Sequence, residues 1–235
     1  SFRSSLAVWP QMVSRIPVTL SLAAGAAVIW VVAGVATGVI SALRKGSIWD
    51  RSAMTIALAG VSLPIFFTAQ IALLIFRDTL SVFPGAGTYV PLTQNPAQWF
   101  ENLVLPWVTL AFLYAALYAR MTRAGMLETM NEDFIRTARA KGLVERRVVL
   151  KHGLRASLTP IMTIFGLDLG LLVGGAVLTE TVYSLPGLGK FAYDAISAND
   201  LPEIMGVTLL AAFFVIVANL IVDVLYAVVD PRVRY

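Results

Sequence analysis

Few residues in this chain could do chemistry, and most of the chemistry is excluded by residue type or spacing. Its 235 residues include no cysteine and a single histidine, His152. Thiolate catalysis, disulfides, zinc ribbons, iron–sulfur clusters and histidine-rich metal sites therefore fall away, and no metal site is expected. No His-Glu-x-x-His stretch occurs, and no close pair of acids lies inside an apolar segment to share acid and base work. An integral-membrane enzyme fares poorly on these grounds; a passive channel is a further class. Gly187-Leu-Gly189-Lys190 lacks the spaced upstream glycine and the following Ser or Thr of a phosphate-binding loop. Any ATP must be handled elsewhere. Asp168 remains as the one charge deep in an apolar stretch, a functional candidate by default. It could line a passage for an ammonium group, or make a structural hydrogen bond or a salt bridge to a neighbouring subunit. Asp223, near the end of the last apolar stretch, is read as pairing with a loop arginine, with substrate contact as the alternative.

The elements that must position these residues follow from composition. Hydrophobic residues make up 58% of the chain and charged residues 14%, with a mean hydropathy of +0.78, whereas soluble domains carry about 25% charged residues. Membrane crossing needs about 20 apolar residues per helix. Five segments qualify: Arg15 to Arg44, Arg51 to Arg77, Glu101 to Arg120, Arg155 to Glu180 with Asp168 inside it, and Glu203 to Asp223. Each must be helical, because an open strand edge in lipid leaves backbone groups unpaired. The expected fold class is all-α, a polytopic transmembrane helix bundle with five spans. Pro64, Pro106 and Pro160 predict kinks or broken turns. Gly34 with Gly38, and Gly166, Gly170 and Gly174 at intervals of four, are candidates for close helix packing. Trp9, Trp49, Trp99 and Trp107 are placed at wet span ends, and Trp30 in helix packing.

Charge sets the orientation. The chain has 18 basic and 14 acidic residues. Fourteen of the basic residues fall on one side of the spans, including nine between Arg120 and Arg155 and also Arg232 and Arg234; four, Arg3, Arg15, Arg77 and Lys190, fall on the other. The positive-inside rule puts the 120–155 loop and the C-terminus in the cytoplasm and Ser1 outside. With no initiator Met or signal pattern at Ser1, the sequence reads as a fragment, and an odd number of spans, most simply one, is expected upstream.

The 120–155 loop reads as ordered and functional. Asn131 suits an N-cap, Glu132 and Asp133 a first helical turn, and Arg136, Arg139 and Lys141 a last one. Gly142 then fits the C′ position that ends a helix. Phe134, Ile135 and Ala138 are expected to share a face, and a second short amphipathic helix is expected over 145–151. The loop looks like a docking element lying along the membrane; touching anionic lipid is the alternative. Nucleic acid is not an expected partner, because no aromatic stacking series accompanies the basic residues.

Asp133-Phe-Ile-Arg-Thr-Ala-Arg-Ala-Lys-Gly-Leu143, followed by Lys151-His-Gly-Leu-Arg-Ala-Ser-Leu-Thr-Pro160, resembles the cytoplasmic signature loop of ABC importer permeases. The family writes this loop Glu-Ala-Ala, three residues, Gly, then Ile-x-Leu-Pro. Here Arg136, Thr137 and Ala138 hold the first three positions, Gly142 the glycine and Leu154 the leucine, while His152 replaces Ile and Arg155 replaces Pro. These departures are similar to the dipeptide and oligopeptide branch, B-type permease. The stretch from Gly174 to Gly189, containing Glu-Thr-Val-Tyr-Ser-Leu-Pro-Gly-Leu-Gly, and the ending from Asp223 to Tyr235 look like the same branch.

The resemblance implies a single N-terminally incomplete permease domain over 1–235, in a bacterial cytoplasmic (inner) membrane. It implies a sister permease, two ABC ATPase subunits or domains that hold ATP and magnesium, and an extracytoplasmic peptide-binding protein. No cofactor is expected on this chain. Arg136, Thr137, Ala138, Lys141, Gly142 and Leu154 are the implied ATPase contacts, with Glu145 and Arg146 read rather as a solvated salt-bridge face. Glu180 and the Pro186, Gly187, Gly189 turn are the expected outer gate or vestibule, and Asp168 the expected pathway residue. Peptide is the implied cargo; nickel, glutathione or another small solute is the same-class alternative.

Overall fold

The computed structural model describes residue 1 and residues 6–84, 86–173 and 176–229. Arg3, Gly174 and residues 230–235, with Arg232 and Arg234, lie outside the described residues, as does the side chain of Asp223. Every regular element among the described residues is helical: α1 Val8–Leu43, α2 Ile48–Ser62, α3 Ile65–Ala72, α4 Pro96–Thr129, α5 Asp133–Ala140, α6 Glu145–Arg147, α7 Arg155–Val173, α8 Val177–Val182, α9 Leu188–Ser197 and α10 Leu201–Val229. Two π-helical segments, Leu73–Thr79 and Val148–Leu154, continue α3 and join α6 to α7.

Four continuous helical stretches are long and apolar enough to cross a membrane: Val8–Leu43, Pro96–Thr129, Glu145–Leu172 and Leu201–Ile221. The second expected span, Arg51 to Arg77, is not one helix. Pro64 pushes Leu63 into extended backbone (ψ 128°), so α2 stops at Ser62 and α3 restarts at Ile65. Pro106 and Pro160 behave differently, because α4 and α7 run through both without ending. Glu180 also departs from expectation. It belongs to the separate short helix α8, since a charge-free stretch measures apolar length and not where a helix stops.

The chain divides into two compact units. In the first, built from 1–28, 64–111 and 166–235, Met12, Leu188, Phe191, Val207 and Leu210 form an apolar core. Trp107 has its ring buried, and its indole N–H, expected to be wet, donates to the Ser21 carbonyl at 2.9 Å. Gly25 makes room for that ring, because a Cβ would sit 2.1 Å from it. Gly170 brings α7 against Val215 and Ala218 of α10, and Gly166 is buried beside it.

The second unit comprises 29–63 and 112–165. Trp30 is fully buried, stacked on Tyr114 at 4.8 Å and tilted against Tyr118 and Phe165. Below it α1 meets α4 closely. A Cβ on Gly34 would stand 2.7 Å from Tyr118 Cβ, and one on Gly38 2.5 Å from Thr122 Cβ. Ala42, Met126 and Val149 continue this core toward the basic loop.

Candidate functional site

Two assemblies of polar residues stand out, one in each unit. The basic loop belongs to the second. Asn131 does not cap α5; its side-chain amide donates to the Leu127 carbonyl at 2.7 Å and so closes the end of α4, while Glu132 takes the N-cap position without a side-chain cap. The far end of α5 is closed as the glycine suggests. Gly142 has φ +73°, the Leu143 N–H reaches the Ala138 carbonyl at 3.4 Å, and the Gly142 N–H reaches Arg139 at 2.9 Å. These paired bonds make a Schellman motif, which a residue with a Cβ enters only at a steric cost.

The Schellman turn folds Leu143 back onto Ile135, Ala138 and Val148, with Met130 alongside. Ile135 and Ala138 are therefore buried and Phe134, expected on the same face, is 47% exposed. Positions 134, 135 and 138 fall within about 100° of arc on a helix, but the packed side lies over Ile135 and Ala138, and Phe134 stands at its open edge. Of the six expected contact residues, Arg136, Thr137, Lys141 and Gly142 are exposed, whereas Ala138 packs inward and Leu154 packs against the Ala42, Met126 and Val149 core. Val144, just beyond the turn, is 74% exposed. Arg139 and Glu145 bridge α5 to α6 at 2.7 Å in the open, where such a pair contributes little.

At the root of this unit lies a cluster that the sequence did not flag. Asp50, 3% exposed, accepts two bonds from the Arg123 guanidinium, from Nε at 2.6 Å and Nη2 at 2.8 Å. It also accepts from the Ser41 hydroxyl and from the Gly46 N–H at 2.8 Å. The available signal was the spacing Ser47-x-x-Asp50, a capping pattern. Ser47 does cap α2 by accepting the Asp50 N–H at 3.2 Å, but the Asp50 carboxylate turns to Arg123.

In the first unit Glu180 is fully buried. Thr19 of α1 donates to its Oε1 at 2.7 Å, and the Lys190 N–H donates to its Oε2 at 2.9 Å. Thr19 accepts in turn from the Leu188 N–H at 2.8 Å. Glu180 thus fills the donor-rich N-terminus of α9 from another helix. Gly187 and Gly189 are required by contact: a Cβ on Gly187 would fall 2.3 Å from the Glu180 carboxyl carbon, and one on Gly189 2.8 Å from the Val177 backbone. Burial pushes the Glu180 carboxyl above the usual carboxylate range, opposed by the Thr19 hydroxyl, the Lys190 and Gly189 N–H groups and the charge of Arg15. Arg15 lies over the Phe191 ring, 4.5 Å from its centroid. Pro186 is exposed on the same turn, and Asp168 of α7 is half-buried. Thr19 and Arg15 were missed, because a Thr inside a span carries no sequence signal of a partner 161 positions away. Among the described residues no three His, Asp or Glu side chains gather as a metal site.

Long apolar helices and an ordered amphipathic loop helix between two of them define a polytopic helical membrane protein. The family described as the binding-protein-dependent transport system inner membrane component matches residues 34–235, and the chain belongs to it. A putative peptide transport system permease protein of Brucella abortus is 43% identical over all of this chain and 74% of its own length. The di/tripeptide transport system permease protein DppB of Pseudomonas aeruginosa is 41% identical, covering 97% of this chain and 74% of that one. The dipeptide transport system permease protein DppB of Escherichia coli is 38% identical over 100% and 76%. Among solved structures, an inward-facing MetNI methionine ABC transporter chain aligns with a TM-score of 0.74 at 21% identity, over 94% of this chain and 96% of that one. That likeness establishes the fold. The chain is a transport component and not an enzyme.

Proposed function

We propose that this chain is a permease subunit of an ATP-driven importer of di- and oligopeptides in a bacterial cytoplasmic membrane. It forms part of the passage together with a sister permease. Two ATPase subunits or domains, which hold ATP and magnesium, grip α5 from the cytoplasm, and an external peptide-binding protein delivers cargo. The observation that carries this reading is the two-sided state of α5. Its apolar face is filled by Val148, Met130 and Leu143 of the same chain, yet Phe134, Arg136, Thr137, Lys141 and Val144 stay exposed. A helix so fastened on one side can pass force from whatever holds the other side. The relatives named for peptide transport support the cargo class. Asp168 is the proposed pathway acid, suited to a peptide ammonium, and Glu180 with Gly187 and Gly189 a proposed gate support.

Copurification in mild detergent tests the partnership, and a cysteine at Thr137 in this cysteine-free chain sharpens it. The expected result is a cross-link from position 137 to an ATPase subunit and loss of labelled di- and tripeptide uptake when the chain is deleted. Absence of any ATPase from the purified particle, or undiminished uptake of all peptide lengths, contradicts the reading.

A further inference from the structure

The loop helix is one end of a continuous packed path whose other end is an ion pair. Ile135 and Ala138 of α5 pack with Val148 and Met130. Met130 also packs on the Ala42, Met126 and Val149 core, and a Cβ on Gly153 would fall 2.7 Å from its sulfur. Ala42 adjoins Ser41, whose hydroxyl donates to Asp50, and Met126 lies one turn beyond Arg123, whose guanidinium grips the same carboxylate. Every segment on this path belongs to the second unit.

Apolar contacts are non-directional and let helices slide by fractions of a residue, whereas a planar guanidinium forked onto a carboxylate fixes both distance and orientation. Both Asp50 oxygens are engaged twice: Oδ1 by Arg123 Nε and Ser41, Oδ2 by Arg123 Nη2 and Gly46. Three pieces of chain, the end of α1, the 44–47 turn and α4, are thereby set in register at one side chain. We propose that the Asp50–Arg123 pair is the positioning joint of this unit, making the α1–α2 turn follow the basic loop as one body when α5 is displaced. Asp50 and Arg123 are positioning residues and touch no cargo. The inference rests on the reading of α5 as the ATPase-gripped element.

The test uses the whole transporter with its ATPase subunits, reconstituted in vesicles, reading ATP hydrolysis and labelled dipeptide import together. Combining Asp50→Asn with Arg123→Gln keeps a hydrogen-bonded pair without stranding a buried charge. The expected result is normal assembly and hydrolysis with import per ATP lowered about tenfold; unchanged import per ATP overturns the joint. Independently of that variant's yield, spin labels at Lys45→Cys and Lys151→Cys, both exposed positions of this unit, report its rigidity in an otherwise native chain. Their separation is expected to be the same with and without ATP. A shift between the two states overturns the proposal. Failure of the wild-type particle to import peptides or to bind ATPases would instead overturn the functional reading, leaving the label distances to be judged separately.

Discussion

Asp50 and Glu180 are both withdrawn from solvent, 3% and 0% exposed, and they are satisfied by different means. Asp50 has a full cationic partner in Arg123, backed by Ser41 and Gly46. Glu180 has a hydroxyl and backbone N–H groups at the start of α9, with only a more remote positive charge from Arg15. An acid with a bidentate cation stays charged and holds a fixed geometry. One held by neutral donors gains less from ionising, so burial raises its affinity for a proton. The first arrangement suits a joint that must not change, and in the second burial holds the carboxyl above its ordinary range.

The largest effect is expected from Arg123→Gln alone, which leaves the Asp50 carboxylate buried without its cation. Recovery of assembled transporter, measured by size-exclusion chromatography, is expected to fall about tenfold. In the other unit Gly187→Ala drives a methyl group into the Glu180 carboxylate, and thermal unfolding in detergent is expected to show a loss of about 1–3 kcal/mol. A melting temperature like that of the wild type would mean the turn is looser than described.

The pH dependence separates the two acids more finely. Because the folded carboxyl of Glu180 lies above its ordinary range, the folded state binds a proton more readily than the unfolded chain. Its contribution to stability is full below the ordinary carboxylate pKa and is lost as pH rises through the raised value. The wild-type melting temperature is therefore expected to drop by a few degrees across that window. Glu180→Gln should remove the drop, while the Asp50 pair contributes none of it. The smallest expected effect concerns Ser184, which ends α8 at φ +51° in the same Schellman geometry that Gly142 supplies for α5. Ser184→Gly should stabilise the first unit by up to about 1 kcal/mol, read as a raised melting temperature, because a Cβ is disfavoured there.

Local features were legible in the sequence and distant pairings were not. Gly142 could be read as a helix stop because a Schellman turn depends on six consecutive residues, and the break at Pro64 because proline restricts the residue before it. Pro106 and Pro160 carry the same local signal, but α4 and α7 continue through them, so the proline alone does not decide where a helix ends. Trp107 could be placed near a span end but not in a contact with Gly25 and Ser21 more than eighty positions away. Asp50 and Arg123 lie 73 positions apart, and Thr19 and Glu180 161. No periodicity records such partners. Phe134 and Ala138 show a subtler limit, since the helix itself was legible while the width of its buried stripe was decided by Val148 and Leu143.

Gly142→Asp tests most directly whether energy enters through α5, because it strains the φ +73° turn that fastens this helix while adding a charge to its exposed end. The quantity to measure is dipeptide imported per ATP hydrolysed by the assembled transporter in vesicles. The chain is expected to insert and hydrolysis to continue while import is lost. Import per ATP equal to that of the wild type would contradict it.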